Sequence, residues 1–252
     1  MLWQNPLGLS HLLLASIGTQ IDLIYPDRIP AGGAILVVSN HRSFMDSPLL
    51  MAALNRPIRF ACHHYMSQVP VLRETVEALG CFPLEAANTR QQVFFQQANR
   101  FLQTRQIVGI FPEGGQPMVQ PTMPDEVGVF QRGFAHLAMR SPIPKLAVLP
   151  VAIASLEESI FPGVPLPLLH FFDPSEPLFD QPGWHPLILY HQVKILVGRP
   201  RWITIDERKQ YRGKQGKEVV NELTHYCQAE IAHLLHKEGG PKCKKLEARS
   251  VF

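Results

Sequence analysis

His41 and Asp46 stand five positions apart in the stretch Ser39–Asn40–His41–Arg42–Ser43–Phe44–Met45–Asp46, directly after the apolar run Ala34–Ile35–Leu36–Val37–Val38. A carboxylate that accepts the N–H of one imidazole nitrogen fixes the tautomer and leaves the other nitrogen as a base. Such a base can draw the proton from an external alcohol as it attacks an activated acyl group, a contribution of roughly 10²–10⁴-fold in rate. No nucleophilic serine is required. The spacing works if the apolar run is a strand, His41 lies in the loop after it, and a helix starts near Asp46–Ser47–Pro48. Asp is a favoured helix cap and Pro suits the first turn. Taken alone, the pair does not separate catalysis from a structural contact.

A second constellation is Gly109–Ile110–Phe111–Pro112–Glu113–Gly114–Gly115, where another apolar run ends in a proline, a carboxylate and two glycines. Ligands of open α/β sheets bind beyond the carboxyl ends of the strands, so two such ends can face one crevice. Gly114 and Gly115 permit positive φ and close backbone approach. Glu113 can hold substrate hydroxyls, orient the site, or be an ordinary turn carboxylate.

These loops need a sheet to position them. Apolar runs of strand length recur at 34–38, 58–62, 107–111, 146–153 and 187–197, with helical periodicity between several of them. The alternation predicts a single α/β domain over 21–238, with a mixed, mostly parallel sheet flanked by helices. Val93, Phe94, Ala98, Phe101 and Leu102 gather on one side of a predicted helix over 89–105. Val220, Leu223, Cys227, Ile231 and Leu234 do the same over 214–236, and Gly239–Gly240 stops that helix. Residues 239–252 read as a basic flexible tail. Between Ser155 and Pro186, seven prolines (Pro162, Pro165, Pro167, Pro174, Pro177, Pro182 and Pro186) argue against regular elements, while Phe161, Leu166, Phe171, Phe172 and Trp184 keep the stretch apolar. It is expected to form an irregular flap over an apolar ligand or a bilayer, or a loop packed on its own core.

Composition narrows the partners. The 252 residues carry a formal charge of +3, too small to argue for nucleic acid, though compatible with an anionic surface where charge clusters. Four cysteines without CxxC spacing point to free thiols in a reducing compartment. Cys62–His63–His64 is superficially ligand-like, but neighbouring strand residues point to opposite faces and no second cluster completes a metal set, so no metal is expected. The first 21 residues contain no Asp, Glu, Lys or Arg, yet the apolar run is short and interrupted by Ser10, His11 and Ser16, and a span needs about 20 predominantly apolar residues. Residues 1–20 read as an amphipathic segment lying at a bilayer surface, or as a core-packing helix. The basic stretch Arg208, Lys209, Arg212, Lys214 and Lys217 can meet lipid headgroups or an acidic carrier protein, or simply be solvated.

The ordered set of motifs resembles the phosphate acyltransferase family, which includes lysophosphatidic acid and glycerol-phosphate acyltransferases. His41–Arg42–Ser43–Phe44–Met45–Asp46, preceded by Asn40, is similar to the first motif, and Phe111–Pro112–Glu113–Gly114 to the third. Val148–Leu149–Pro150–Val151–Ala152 is similar to the fourth, and Phe130 to Ala138 looks like the helix after the third. The resemblance covers about residues 18–200. It implies transfer of a fatty acyl group from a thioester of coenzyme A or acyl carrier protein to a hydroxyl of a lysophospholipid or glycerol phosphate. It further implies His41 and Asp46 as the catalytic pair and Glu113 and Gly114 at the acceptor, with no cofactor beyond the acyl thioester and a place at the cytosolic face of a membrane.

The sequence departs from the pattern. In the second motif, Gly80–Cys81–Phe82–Pro83–Leu84–Glu85–Ala86, Ala86 stands where the resemblance implies a phosphate-binding arginine, leaving Arg90 or Arg132 to contact a phosphate. Gly115–Gln116 replace a hydroxyl residue and, often, a basic one, and His63 replaces a lysine. A missing guanidinium removes bidentate bonds to phosphate. The departures suggest an alternative, a lipid-binding membrane-surface protein of the same fold without turnover.

Overall fold

The computed structural model describes residues 5–62, 66, 68, 70–84, 90–174, 176–239 and 244–246. Its centre is β2 (Ala34–Ser39), every residue of which is buried. Because side chains alternate across a strand, Leu36 and Val38 pack into one core while Ile35 and Val37 pack into another on the opposite face. A fully apolar run bounded by polar loops is what a central parallel strand requires.

Parallel strands flank β2 on both sides: β5 (Ile107–Ile110) and the first part of β6 (Leu146–Pro165). Next to β5 come β3 (Ile58–Cys62) and β4 (Phe82–Pro83), both parallel. On the other side β7 (Trp184–Val197) runs antiparallel to β6, and β1 (Gln20–Ile24) pairs parallel with β7. The order β1-β7-β6-β2-β5-β3-β4, with β8 (Arg201–Trp202) beside β6, is the mixed, mostly parallel sheet expected. The helices α1 (Pro6–Ile17) and α2 (Asp46–Leu54) cover one face, and α3 (Pro70–Ala78) lies between β3 and β4 in the chain. The opposite face carries α4 (Arg90–Gln103), α6 (Gly133–Arg140) and α9 (Gly216–Glu238). The short helix α5 (Gln116–Val119) follows Gly114–Gly115, and α8 (Ile205–Arg212) precedes α9 behind a Thr204–Glu207 capping box.

One expectation changes. The stretch 155–186 is not irregular: β6 continues to Pro165, α7 (Leu166–Phe172) follows, and β7 returns from Trp184 to form a long antiparallel arm. Pro162 faces Pro186, and the register slips between Pro162 and Val164. Past residue 160 the arm is a two-stranded ribbon among the described residues, so a proline there forfeits only an N–H that a bulge or outer edge leaves unpaired. Within the tail, Lys244–Leu246 form β9, parallel to Glu157–Ser159 of β6. Most of the remaining tail, residues 240–243 and 247–252, lies outside the described residues.

The N-terminal segment does fold into a helix at Pro6–Ile17, capped by the Asn5 side chain, which accepts the Gly8 N–H at 3.1 Å. Its sides do not divide cleanly into apolar and polar, because Ser10 is buried against α2 while Leu12 faces outward. Among the described residues no helix is long and apolar enough to cross a membrane.

Candidate active site

The sequence positions the site by ending two buried parallel strands side by side. At the carboxyl end of β2, the Asn40 amide extends the sheet as if it were one more peptide unit. It donates to the Ile153 carbonyl at 3.0 Å and accepts the Ile153 N–H at 2.8 Å. The next residue is therefore delivered at a fixed point on the rim, and that residue is His41.

His41 Nδ1 lies 2.8 Å from Asp46 Oδ2. Asp46 is not the cap of α2 but its first helical residue, and Met45 occupies the cap position. From there its carboxylate turns back over the loop, and Oδ2 also accepts the N–H groups of Arg42 at 2.7 Å and Ser43 at 2.9 Å. The Asp46 side chain is 1% exposed and that of His41 18%. One partner is thus sealed while the other can be reached. With Nδ1 directed at the carboxylate, Nε2 is the nitrogen left for a substrate proton.

Glu113, at the end of β5, joins the two constellations. Its Oε1 accepts the His41 N–H at 3.0 Å and its Oε2 the Gly128 N–H at 2.6 Å. Burial raises its pKa above the ordinary value, against the lowering pull of those two N–H groups and of His41. Each oxygen holds a backbone donor, so Glu113 ties the His41 loop to the segment around Gly128. Gly114 has φ +72°, which a glycine adopts without strain, whereas Gly115 sits at an ordinary φ of −80° with Leu178 packed where a side chain would start.

Phe111 was legible as part of a motif but not as a floor. Its ring stacks under His41 with centroids 4.1 Å apart and planes 9° from parallel, and Phe60 stacks behind it at 5.0 Å. Glu158 gave no signal in sequence. It pairs with Arg42 in two bonds of 2.8 and 3.0 Å, with both side chains buried. Tyr190 lies wholly buried nearby. Burial first, and then the Asp46 charge beside it, push its hydroxyl well above its usual pKa.

The family model for acyltransferases matches residues 20–154, more than half of the chain, and the match spans both constellations. The chain belongs to the Acyltransferase family. In structure, this acyltransferase is similar to the 1-acyl-sn-glycerophosphate (LPA) acyltransferase PlsC from Thermotoga maritima. The TM-score is 0.60 at 16% sequence identity, covering 96% of this chain and 81% of that one. At that identity the likeness shows a shared fold. No match is found among curated proteins.

The remaining expected site residues of the acyltransferase are distributed differently. Arg90 is the first residue of α4, but its side chain and residues 85–89, Ala86 included, lie outside the described residues. Arg132 caps α6 and is exposed; its charge is felt by His136 one turn along, whose pKa is lowered first by burial, then by Arg140 and Arg132. His63 and His64 fall outside the described residues, among which no cluster of metal-ligating side chains occurs. Cys62, Cys81 and Cys227 are unpaired thiols, and burial raises their pKa values, to about 12 for Cys62 and Cys81.

Proposed function

We propose that this acyltransferase moves a fatty acyl group from an acyl thioester, of coenzyme A or acyl carrier protein, to a hydroxyl of lysophosphatidic acid or a related lysophospholipid or glycerol phosphate. The observation that carries this reading is the reachable imidazole whose Nδ1 is held at 2.8 Å by a sealed carboxylate. His41 Nε2 takes the proton of the acceptor hydroxyl while its oxygen attacks the thioester carbonyl. Asp46 stabilises the imidazolium that forms. As the tetrahedral intermediate collapses, the C–S bond breaks and the thiolate leaves, taking the proton from His41. The products are an ester and a free thiol, and the histidine returns to its starting state.

The membrane side of the proposal draws on the arm. Val164, Leu168, Phe171, Trp184 and Leu187 are exposed at its far end, and α7 there contains no charged side chain other than the titratable His170. A helix apolar on all sides fits a buried or lipid-facing position better than water. Leu178 meanwhile reaches back over Gly115, beside the motif that carries Glu113. These apolar surfaces support peripheral attachment to a membrane, proposed at its cytosolic face, with acceptor and acyl chain arriving from lipid.

The test is release of free thiol by the purified protein with acyl-CoA or acyl carrier protein and lysophosphatidic acid. Esterified lipid should appear with the thiol, and His41→Ala should lower the rate by roughly 10²–10⁴-fold. Binding to lipid with no thiol release, across several donors and acceptors, leaves the non-catalytic lipid-binding reading. Free fatty acid in place of esterified lipid makes water the acceptor.

A further inference from the structure

Between His41 and Asp46 the chain is fastened to the root of the arm by three successive contacts. The Ser43 hydroxyl donates to the Ile188 carbonyl at 2.6 Å, and Met45 Sδ receives the Tyr190 N–H at 3.3 Å. The Arg42 guanidinium makes the third contact. Its two terminal nitrogens each bond one oxygen of Glu158, and its Nε donates to the Thr122 carbonyl at 2.9 Å. Arg42 is 3% exposed and Glu158 wholly buried, so neither reaches a substrate. Burial opposes the Arg42 charge, but the bonds to Glu158 together with the electrostatic pull of Tyr190, Glu158 and Asp46 more than offset it, so the guanidinium stays protonated.

The geometry around this pair feeds directly into the catalytic dyad. The peptide N–H of Arg42 is one of the donors that aim Asp46 Oδ2 at His41. Glu158 sits where β6 slips register against β7, between Glu157 and Glu158, and a bulge re-aims a side chain out of the regular ladder. We infer that Arg42 and Glu158 are positioning residues for acyl transfer, a planar clamp that fixes the loop between His41 and Asp46 against the arm and so sets the angle at which the carboxylate meets the imidazole. A guanidinium suits this task because its rigid fork bonds both carboxylate oxygens at once, which an ammonium cannot do. The consequence is a separation of effects: loosening the clamp slows the chemical step and leaves substrate binding intact.

It takes His41 as the general base proposed above, and the experiment keeps the two apart. Thiol release is measured for His41→Ala, Arg42→Lys and the double variant Arg42→Met/Glu158→Leu, with thermal unfolding of each. The double variant removes both charges together, so no lone ion is left buried. Both clamp variants are expected to lose roughly 10- to 100-fold in kcat with KM for donor and acceptor unchanged and Tm close to wild type. A double variant that folds and keeps kcat within about twofold overturns the inference, as does a change confined to KM. Should the double variant fail to fold, Arg42→Lys decides alone: wild-type kcat there overturns it equally. Retained turnover in His41→Ala refutes the general-base reading instead, whatever the clamp variants do.

Discussion

The ring of His41 lies flat on that of Phe111, with centroids 4.1 Å apart and an interplanar angle of 9°. A base held on one edge by a carboxylate still has freedom to rock about that bond, and the Phe111 face removes it. Aromatic stacking of this kind contributes about 0.5–1.5 kcal/mol beyond its area. Phe111→Leu is therefore expected to lower kcat by roughly 3- to 10-fold with little change in KM, read by steady-state thiol release.

The floor has its own support. A Cβ on Gly109 would meet the Phe60 ring at 2.1 Å, and Phe60 stacks on Phe111. Gly109→Ala must push that ring aside, so a fall in both Tm and kcat is expected. Phe60→Leu, which frees space, should partly restore the Tm of Gly109→Ala, a coupling that a double-mutant cycle of thermal unfolding measures.

Asp46 Oδ2 collects His41 Nδ1 and two backbone N–H groups. Asp46→Asn keeps the size but gives up the charge and offers a donor where the dyad needs an acceptor. Loss of kcat on the order of 10³–10⁴-fold is expected, as for other carboxylates that hold a catalytic imidazole. Near-wild-type turnover by this variant would remove the dyad from the mechanism.

Glu113 gives a pH signature. Its folded-state pKa is raised above the ordinary 4.5, chiefly by burial, so the folded protein binds more protons than the unfolded chain. Its contribution to stability is then complete below pH 4.5 and declines as pH rises through the raised value. The Tm advantage of wild type over Glu113→Gln should shrink across that window, as followed by thermal unfolding from pH 4 upward. An advantage that grows with pH would mean that the two N–H bonds outweigh burial.

Asn40 supplies two hydrogen bonds to the Ile153 backbone while 2% exposed. Asn40→Ala leaves the Ile153 N–H and carbonyl unpaired in the interior, a cost of about 1–3 kcal/mol. Urea unfolding should show a lower midpoint with an unchanged slope.

Local pattern made much of this legible. A strand buried on both faces must be apolar throughout, so Ala34–Val38 announced β2, and helical periodicity announced α4 and α9 within a few residues of their ends. The dyad was readable because His41 and Asp46 are five residues apart, within reach of one loop and one helix turn. Its helix register was misjudged by one position, since Asp46 satisfies the loop N–H groups from inside the helix as well as it would from the cap.

What tertiary structure alone decided involves partners far apart in the chain, whose spacing carries no periodic signal. Glu113 meets the His41 N–H across 72 residues and Glu158 meets Arg42 across 116, and only the side-by-side order of β2, β5 and β6 brings them together. The arm was hidden for a related reason. Proline forbids a strand only where its missing N–H would be called on, and whether it is depends on which edge faces a neighbour, a property of the folded sheet and not of the residues from 155 to 186.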